Sequence, residues 1–330
     1  MRKLLIIIAV LSISIINAFS LKDKIINGTP GDYAVTEQGG TSSVLLIRAL
    51  TPTHLILEEI DVPTISRKSS DVSWKEWVAE EAPGHTAWIT YIIDLKNNQL
   101  QECYSYSQGV WLPTNDSFHF LPKLLSLSLQ KTSQDQRKRI GPPPQAGEED
   151  HRSIWIPSVV IEGKKVDKAD ITAWKTKWPS DGTLISGCEI EVYFSSQAFP
   201  VWIEVKSPHY KASLRSVDSG HNMSSPKPLV FQQSPLILGS GVWTKKSIEL
   251  MVHCPTYFSA YKIFASDQTD ENHPLIEIAQ SAPLTSSESI LKISEKTLDE
   301  NLIKGHQYRW VLVPVAFPSL VVYSEQVFQW

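Results

Sequence analysis

Few residues in this chain combine the types and spacing that covalent chemistry needs. The best thiol pair is Cys103 with His85, because a histidine can deprotonate a cysteine and an acid such as Asp94 could orient the imidazole. Cys103 lies within a β-type run, however, whereas a reactive thiolate is stabilised at a helix N-terminus or beside a cation. We therefore expect Cys103 to be a core residue and His85 to be a loop residue after Gly84.

Two further groupings bring reactive residue types together only along the chain. His253 and Cys254 are adjacent, and neighbours on a strand point to opposite faces of a sheet. Asp218, Ser219 and His221 lie in a glycine-containing stretch, but local clustering is not the geometry of a catalytic triad. Adjacent carboxylates such as Glu58-Glu59 are expected to be solvated rather than an acid/base pair.

No sequence motif indicates a metal, a cofactor or a catalytic nucleophile. The chain has no His-Glu-x-x-His motif, no Cys-x-x-Cys pair, no phosphate-binding glycine loop with lysine and no Gly-x-Ser-x-Gly elbow. Its charge also argues against nucleic acid, which rewards dense basic patches: 31 Lys and Arg stand against 35 Asp and Glu, a net charge of −4. These absences favour a protein that is not an enzyme without excluding one, and we expect no cofactor.

The three cysteines, Cys103, Cys188 and Cys254, leave the disulfide state open. In an oxidising compartment two of them could pair, but the sequence does not choose among three pairings, and one cysteine would remain. The alternative, which we favour, is three buried small apolar side chains.

The first twenty residues have the order of a secretory signal. Arg2 and Lys3 precede an uncharged, mostly apolar run that ends at Ala18, and Ala18 and Ser20 are small residues at the two positions read by a signal peptidase. The run is shorter than the roughly 20 residues that span a bilayer. We expect residues 1–20 to be a signal peptide, the protein to be exported to the periplasm or cell surface, and the mature chain to have no membrane span.

The rest of the chain alternates β-type runs with turn residues, which predicts a mainly β protein with two or three sheet domains. One short helix is expected to begin after Ser73, because Ser73 and Glu76 have the spacing of a capping box. A segment with consecutive basic residues, three prolines and consecutive acidic residues favours a solvated linker. The predicted parts are an N-terminal β-rich domain with the short helix at 33–130, the linker at 131–152, a middle β domain at 153–233 and a C-terminal β-sandwich at 235–330.

The C-terminal region carries a more specific pattern. Leu302, Gly305, Tyr308 and Trp310 have the order leucine, turn glycine, tyrosine and alternating strand. This pattern resembles the tyrosine corner of fibronectin type III and immunoglobulin-like modules. The resemblance implies a buried Tyr308 whose hydroxyl bonds to the backbone, and it implies a fold rather than an activity.

Three other short segments resemble uncharacterised exported proteins of Chlamydia-type bacteria. They are Ala82-Pro83-Gly84-His85-Thr86-Ala87-Trp88, Ile93-Asp94-Leu95 and Arg139-Ile140-Gly141-Pro142-Pro143-Pro144. The resemblance implies a bacterial periplasmic or surface setting and carries no activity.

Three functions remain open at this point. The first is a non-enzymatic envelope or secreted protein that binds an unknown protein partner, or serves structurally, through β-sandwich modules. The second is a carrier of a lipid or other apolar ligand in the N-terminal sheet, and the third is a hydrolase with an unrecognised site. An apolar cavity of several hundred cubic ångströms would favour the carrier, and a convergent Cys–His or Ser–His contact in a cleft would favour the enzyme.

Export makes a direct prediction about the mature N-terminus. Because the charged, apolar and small residues stand in signal-peptide order, N-terminal sequencing of the exported protein should start close to Ser20. A mature protein that still begins at Met1 would contradict the signal-peptide interpretation.

Overall fold

The protein is described here by a computed structural model that covers residues 19–67, 72–114, 120–145 and 147–330. These residues form several antiparallel sheets and few helices, which confirms the predicted mainly β fold class. The predicted signal peptide, apart from Phe19 and Ser20, lies outside the described residues. The helices are α1 (Leu21–Ile25), α2 (Thr64–Arg67), α3 (Trp74–Ala79), α4 (Phe120–Ser126) and α5 (Glu295–Asn301). The strands are β1 (Phe19–Ser20), β2 (Tyr33–Gln38), β3 (Thr41–Leu50), β4 (His54–Pro63), β5 (Ala87–Asp94), β6 (Gln99–Ser105), β7 (Val110–Trp111), β8 (Ser128–Lys131), β9 (Val159–Ile161), β10 (Lys164–Val166), β11 (Thr172–Lys177), β12 (Glu189–Phe194), β13 (Trp202–Lys206), β14 (Lys211–Gly220), β15 (Leu236–Trp243), β16 (Ser247–His253), β17 (Tyr261–Asp267), β18 (Leu275–Gln280), β19 (Glu288–Ser294), β20 (Gln307–Pro314) and β21 (Val322–Gln329).

One large sheet joins the two regions that we predicted to be separate domains. Its strand order is β1-β8-β11-β12-β13-β14-β2-β3-β4-β5-β6-β7. Strand β14 of the predicted middle domain pairs with β2, and β11 pairs with β8. Residues 33–130 and 153–233 therefore share a single sheet, and the prediction of two separate domains was wrong. Residue patterns mark the strands but do not specify which distant strands pair.

The proline-rich segment at 131–152 is a long loop of this sheet rather than a spacer between domains. Lys131 still pairs with Trp174 of β11, and Arg139 forms an isolated β-bridge with Ile154. The guanidinium of Arg139 also donates a 2.7 Å hydrogen bond to the carbonyl of Arg152. The chain thus leaves the sheet, turns at its exposed prolines and returns along itself.

The large sheet curls so that its two halves share one apolar cluster. Leu57 of β4 and Ile190 of β12 stand far apart in the strand order, yet both belong to this cluster, together with Leu21 of α1 and Leu124 of α4. We call the side that holds α1 and α4 the concave face. The curl is consistent with the intrinsic twist of β-sheets.

Helix α1 is positioned by its first residues. Ser20 and Asp23 form a capping box, in which the Ser20 amide donates to the Asp23 carboxylate at 2.7 Å and the Asp23 amide donates to the Ser20 hydroxyl at 3.2 Å. Leu21 and Ile25 are four residues apart, so both point to the same side of the helix and are buried in the concave cluster.

The opposite, convex face is covered by α3 near one end of the central strands. Ser73 caps this helix through the predicted capping box with Glu76, and Trp77 and Val78 pack against Trp88 of β5. The prediction of one short helix within 33–130 was incomplete, because α2 and α4 are also present there. Each of these has four to seven residues, too few for a clear helical period.

The C-terminal strands form a β-sandwich. Strands β15, β16 and β19 make one sheet, and β18, β17, β20 and β21 make the other. Leu250 from the first sheet and Tyr261, Trp310 and Phe328 from the second meet in one apolar cluster. Tyr308 is fully buried, accepts a hydrogen bond from the Ile303 amide at 2.8 Å and donates to the Ile303 carbonyl at 3.4 Å.

The sandwich packs on the convex face of the large sheet. Ala49, Ile56 and Ile92, from β3, β4 and β5, belong to the same apolar cluster as the sandwich core. The connecting segment is also fixed to the sheet, because the Tyr106 hydroxyl donates to the Pro228 carbonyl at 2.6 Å and the Gln232 amide donates to the Glu102 carboxylate at 2.8 Å. The two parts are thus joined by packing as well as by the chain.

We predict that Tyr308 stabilises the sandwich through both its hydroxyl and its ring. Tyr308→Phe should lower the free energy of unfolding by about 1 kcal/mol through the lost hydrogen bonds. Tyr308→Ala should lower it by about 3–5 kcal/mol because it also leaves a cavity. Denaturant unfolding followed by tryptophan fluorescence measures both, with Tyr323→Phe as the control because Tyr323 is 50% exposed. Equal stability of Tyr308→Ala and the parent would contradict the stabilising role of Tyr308 in the sandwich.

Candidate functional site

A cavity of about 370 Å³ lies between the concave face of the large sheet and helices α1 and α4. Its apolar wall comes from both helices, from the sheet and from the loop before β13. The principal apolar residues are Leu21, Ile25, Leu45, Leu124, Phe199 and Ile203. Leu214 of β14 completes this wall.

The register of the sheet places a polar row along one side of the cavity. Ser216 pairs with Thr36, Thr36 pairs with Ser43, and Ser43 pairs with Asp61, so these residues lie side by side across four strands. The Ser43 hydroxyl donates a 2.5 Å hydrogen bond to the Asp61 carboxylate. The next row on the same face contains Leu45 paired with Glu59. Side chains two residues apart on a strand share a face, so the polar row and the row of Leu45 and Glu59 both line the concave side.

Glu59 supplies a carboxylate inside this cavity. The Tyr91 hydroxyl donates a 2.7 Å hydrogen bond to Oε2 of Glu59. Burial raises the pKa of Glu59, the nearby Asp61 raises it further, and the hydrogen bond from Tyr91 lowers it. Burial and the charge of Glu59 together raise the pKa of the Tyr91 phenol, so this group remains a neutral donor. The cavity thus combines an apolar wall with one carboxyl group whose pKa is raised.

A second cavity of about 220 Å³ adjoins the first along the concave face. Gln38, Ile203 and Leu214 line both cavities. The second is also lined by Ile185 and Tyr210. A ligand longer than the first cavity therefore has apolar space in which to extend.

The structure does not assemble the thiol pair considered from the sequence. His85 precedes β5 and Asp94 ends it, so they are separated by nine residues of mostly extended chain, or roughly 30 Å. The carboxylate of Asp94 accepts the Lys96 amide at 2.7 Å and closes the turn after β5. Nδ1 of His85 lies 2.9 Å from the Ala82 carbonyl, in the loop after α3. Neither residue is placed to act on Cys103.

Cys103 is a core residue in the middle of β6. It pairs with Tyr91 across the sheet and belongs to the concave apolar cluster. Burial raises its pKa to about 11, and the charge of Glu59 adds to this effect. Burial likewise raises the pKa of Cys254 to about 12. Cys188 is also buried, and all three cysteines are free thiols.

The Asp218, Ser219 and His221 grouping is also dispersed. Asp218 accepts the Tyr33 hydroxyl at 3.2 Å, Ser219 donates to the Val160 carbonyl at 3.0 Å, and His221 faces Asp32.

Within residues 19–67, 72–114, 120–145 and 147–330, no group of His, Cys, Asp and Glu side chains could hold a metal ion. The same described ranges contain no helix long and apolar enough to cross a membrane.

Sequence reasoning missed Glu59, because the Glu58-Glu59 pair was expected to be solvated. In the structure Glu58 is fully buried on the convex face and paired with Arg48, whereas Glu59 points into the concave cavity. Adjacent strand residues face opposite sides of a sheet, and both sides of this sheet are covered. The signal was available in the apolar residues that flank the pair, from Leu55 to Val62.

Comparison with known proteins places part of the chain near a chlamydial protein. The profile of a family described as CT021 protein matches residues 43–167. A solved structure described as the hypothetical protein CT021 from Chlamydia trachomatis is 22% identical in sequence, with a TM-score of 0.47, over 65% of this chain and 99% of that chain. No curated protein matches the sequence significantly. The family match includes the segments on which the Chlamydia-type resemblance was based, and it brings no activity with it.

We predict that the native protein is unreactive toward thiol reagents at neutral pH. All three cysteines are buried, and Cys103 and Cys254 have raised pKa values, so little thiolate is available. Dithiobis(nitrobenzoate) should detect no thiol in the native protein and three per chain after denaturation without reductant. Rapid native labelling of Cys103 would contradict its core role, and only one thiol in denaturant would indicate a disulfide.

Proposed function

We propose that the protein binds a small, mainly apolar ligand in the cavity on the concave face. The observation that carries this proposal is the cavity itself, about 370 Å³ in volume, with an apolar wall and the Glu59 carboxylate. Ligand sites in proteins commonly measure about 300–1,000 Å³ and combine apolar walls with a few well-placed polar groups. Of the three functions left open by the sequence, this cavity favours the carrier.

The volume sets the size of the ligand. A water molecule occupies about 30 Å³ in the liquid, and we take the same volume for each heavy atom of a ligand. On that scale the first cavity accommodates about a dozen heavy atoms. The adjoining cavity of about 220 Å³ allows a longer alkyl or aromatic tail.

The same lining gives less support to a hydrolase. Ser43 and Ser216 reach the cavity, but its described lining residues include neither histidine nor cysteine. Ser43 donates its hydroxyl to Asp61, and Ser216 donates to the Asp218 carbonyl at 2.9 Å. A serine nucleophile needs a base that can take its proton. The Ser43–Asp61 hydrogen bond is weaker evidence for a hydrolase than the cavity is for ligand binding.

We also propose that the C-terminal sandwich is a fibronectin type III-like module that supports the large sheet. Its three-plus-four strand arrangement and the Tyr308–Ile303 hydrogen bonds favour this assignment. Its contacts with Ile56 and Ile92 favour a structural role.

Binding of a protein partner stays a prediction, and its best surface is an exposed apolar row. The row consists of Leu238, Met251 and Ile290, which are 48%, 49% and 66% exposed.

Export of the protein is proposed from residues 1–20. Phe19 stacks on Trp174 at 4.3 Å, and Ser20 caps α1. Cleavage after Ser20 would remove both contacts, so the structure favours a mature N-terminus at Phe19 over one at Leu21. The N-terminal sequencing described above distinguishes the two.

A fluorescent probe tests the proposed binding function. N-phenyl-1-naphthylamine is neutral at pH 7 and fluoresces in apolar surroundings, so the parent should bind about one molecule per chain with saturation. Leu214→Trp places a large side chain in both cavities and should weaken binding by about tenfold or more. Leu184→Trp is the matched control, because Leu184 is 80% exposed and lies outside the cavity lining.

Two results would overturn the proposal. One is non-saturating fluorescence in the parent protein. The other is equal affinity of the parent and Leu214→Trp, provided that circular dichroism shows Leu214→Trp to be folded. If this variant does not fold, the dependence of the unfolding temperature on probe concentration still tests binding to the parent, since a ligand of the native state must raise it.

A further inference from the structure

The carboxylate of Glu59 differs from two other carboxylates of the large sheet, Glu58 and Glu204, which lie beside cations. Glu58, its neighbour in the chain, is paired with Arg48, and Glu204 on the convex face lies 3.0 Å from Lys206. Among the described residues, no cation contributes to the environment of Glu59, whose polar neighbours are Asp61 and Tyr91. Charges that proteins hold away from water are normally paired, and the described residues supply no cation for Glu59.

Apart from the Tyr91 hydroxyl, which donates to Glu59, the polar groups beside Glu59 present oxygen atoms that can accept hydrogen bonds. Tyr91 occupies Oε2 of Glu59, and within the described part of the chain no hydrogen bond engages Oε1. Asp61 lies two residues along the same strand and on the same face, so it adds negative potential beside the cavity. The oxygens of Thr36 and Ser43 line the same side. A group that enters this end of the cavity meets oxygen atoms and negative charge.

Resting on the proposed function, we propose that the bound ligand carries a positively charged amine that pairs with Glu59 while its apolar tail lies against α1 and the loop at Phe199. An ammonium group has N–H donors and no acceptor, which matches Oε1 of Glu59 and the neighbouring hydroxyl oxygens. A carboxylate ligand would face Glu59 and Asp61 and be repelled. An alcohol would fit the space but would leave the charge on Glu59 unpaired.

The pairing gives a pH dependence with a defined sign. The groups that act on Glu59 are Asp61 on its own strand, Tyr91 on β5 and Cys103 on β6. Tyr91 and Cys103 stay neutral near pH 7 because burial raises their pKa values. The preference for an amine should therefore be present above the pKa of Glu59, which is raised from its ordinary value, and be lost as the pH falls through it.

Three ligands with one alkyl chain test the proposal by displacement of N-phenyl-1-naphthylamine. Decylamine is cationic, decan-1-ol is neutral and decanoate is anionic at pH 7. The parent should bind decylamine about tenfold more tightly than decan-1-ol, and decanoate most weakly. Glu59→Gln keeps the size and an acceptor for Tyr91, and should remove the difference between amine and alcohol. Glu37→Gln is the matched control, since Glu37 lies on β2 outside the cavity lining and pairs with Arg215.

The outcomes separate this proposal from the binding function on which it rests. Loss of saturable probe binding in the parent would overturn both. Intact probe binding with equal affinities for amine and alcohol, a preference for decanoate, or an amine preference that survives in Glu59→Gln would overturn the amine assignment alone. If Glu59→Gln does not fold, the parent's amine preference must still decline as the pH is lowered through the raised pKa of Glu59, and a pH-independent preference overturns the assignment.

Discussion

Both faces of the central strands of the twelve-stranded sheet are largely covered, and this constraint decides where the other elements lie. Helices α1 and α4 pack on the concave face, and α3 and the C-terminal sandwich cover parts of the convex face. Adjacent residues on one strand consequently enter different environments. Glu58 forms an ion pair on the convex side, whereas Glu59 enters the concave cavity. A sheet with one solvated face would have left one of these carboxylates in water.

The cavity follows from the curl of the sheet and from the short helices inside it. Leu21 and Ile25 of α1 and Leu124 of α4 fill part of the concave face, and the space beyond them stays open beside the row that contains Leu45 and Glu59. The sandwich fixes the opposite side of the same strands through Ile56 and Ile92. The ligand site therefore lies on regular strands supported from behind, an arrangement that holds side chains in place.

The sequence was informative about elements and less so about their assembly. The α3 capping box at Ser73 was identified because capping depends on residues three positions apart. The shared sheet of 33–130 and 153–233 was not, because the pairing of β14 with β2 joins residues far apart in sequence, and neither strand alone specifies its partner. The flanking apolar residues could have indicated that Glu59 is not solvated, but its cavity could not be predicted, since it exists only once α1, β4 and the loop at Phe199 meet.

The central claim is that one chain holds one ligand in the concave cavity. Native mass spectrometry after incubation with decylamine tests it most directly, because the method counts bound molecules on the intact protein. The account predicts a single adduct of decylamine per chain in the parent and in Leu184→Trp, and its loss in Leu214→Trp. A ladder of several weak adducts that is the same in all three proteins, or no adduct in the parent, would contradict the account.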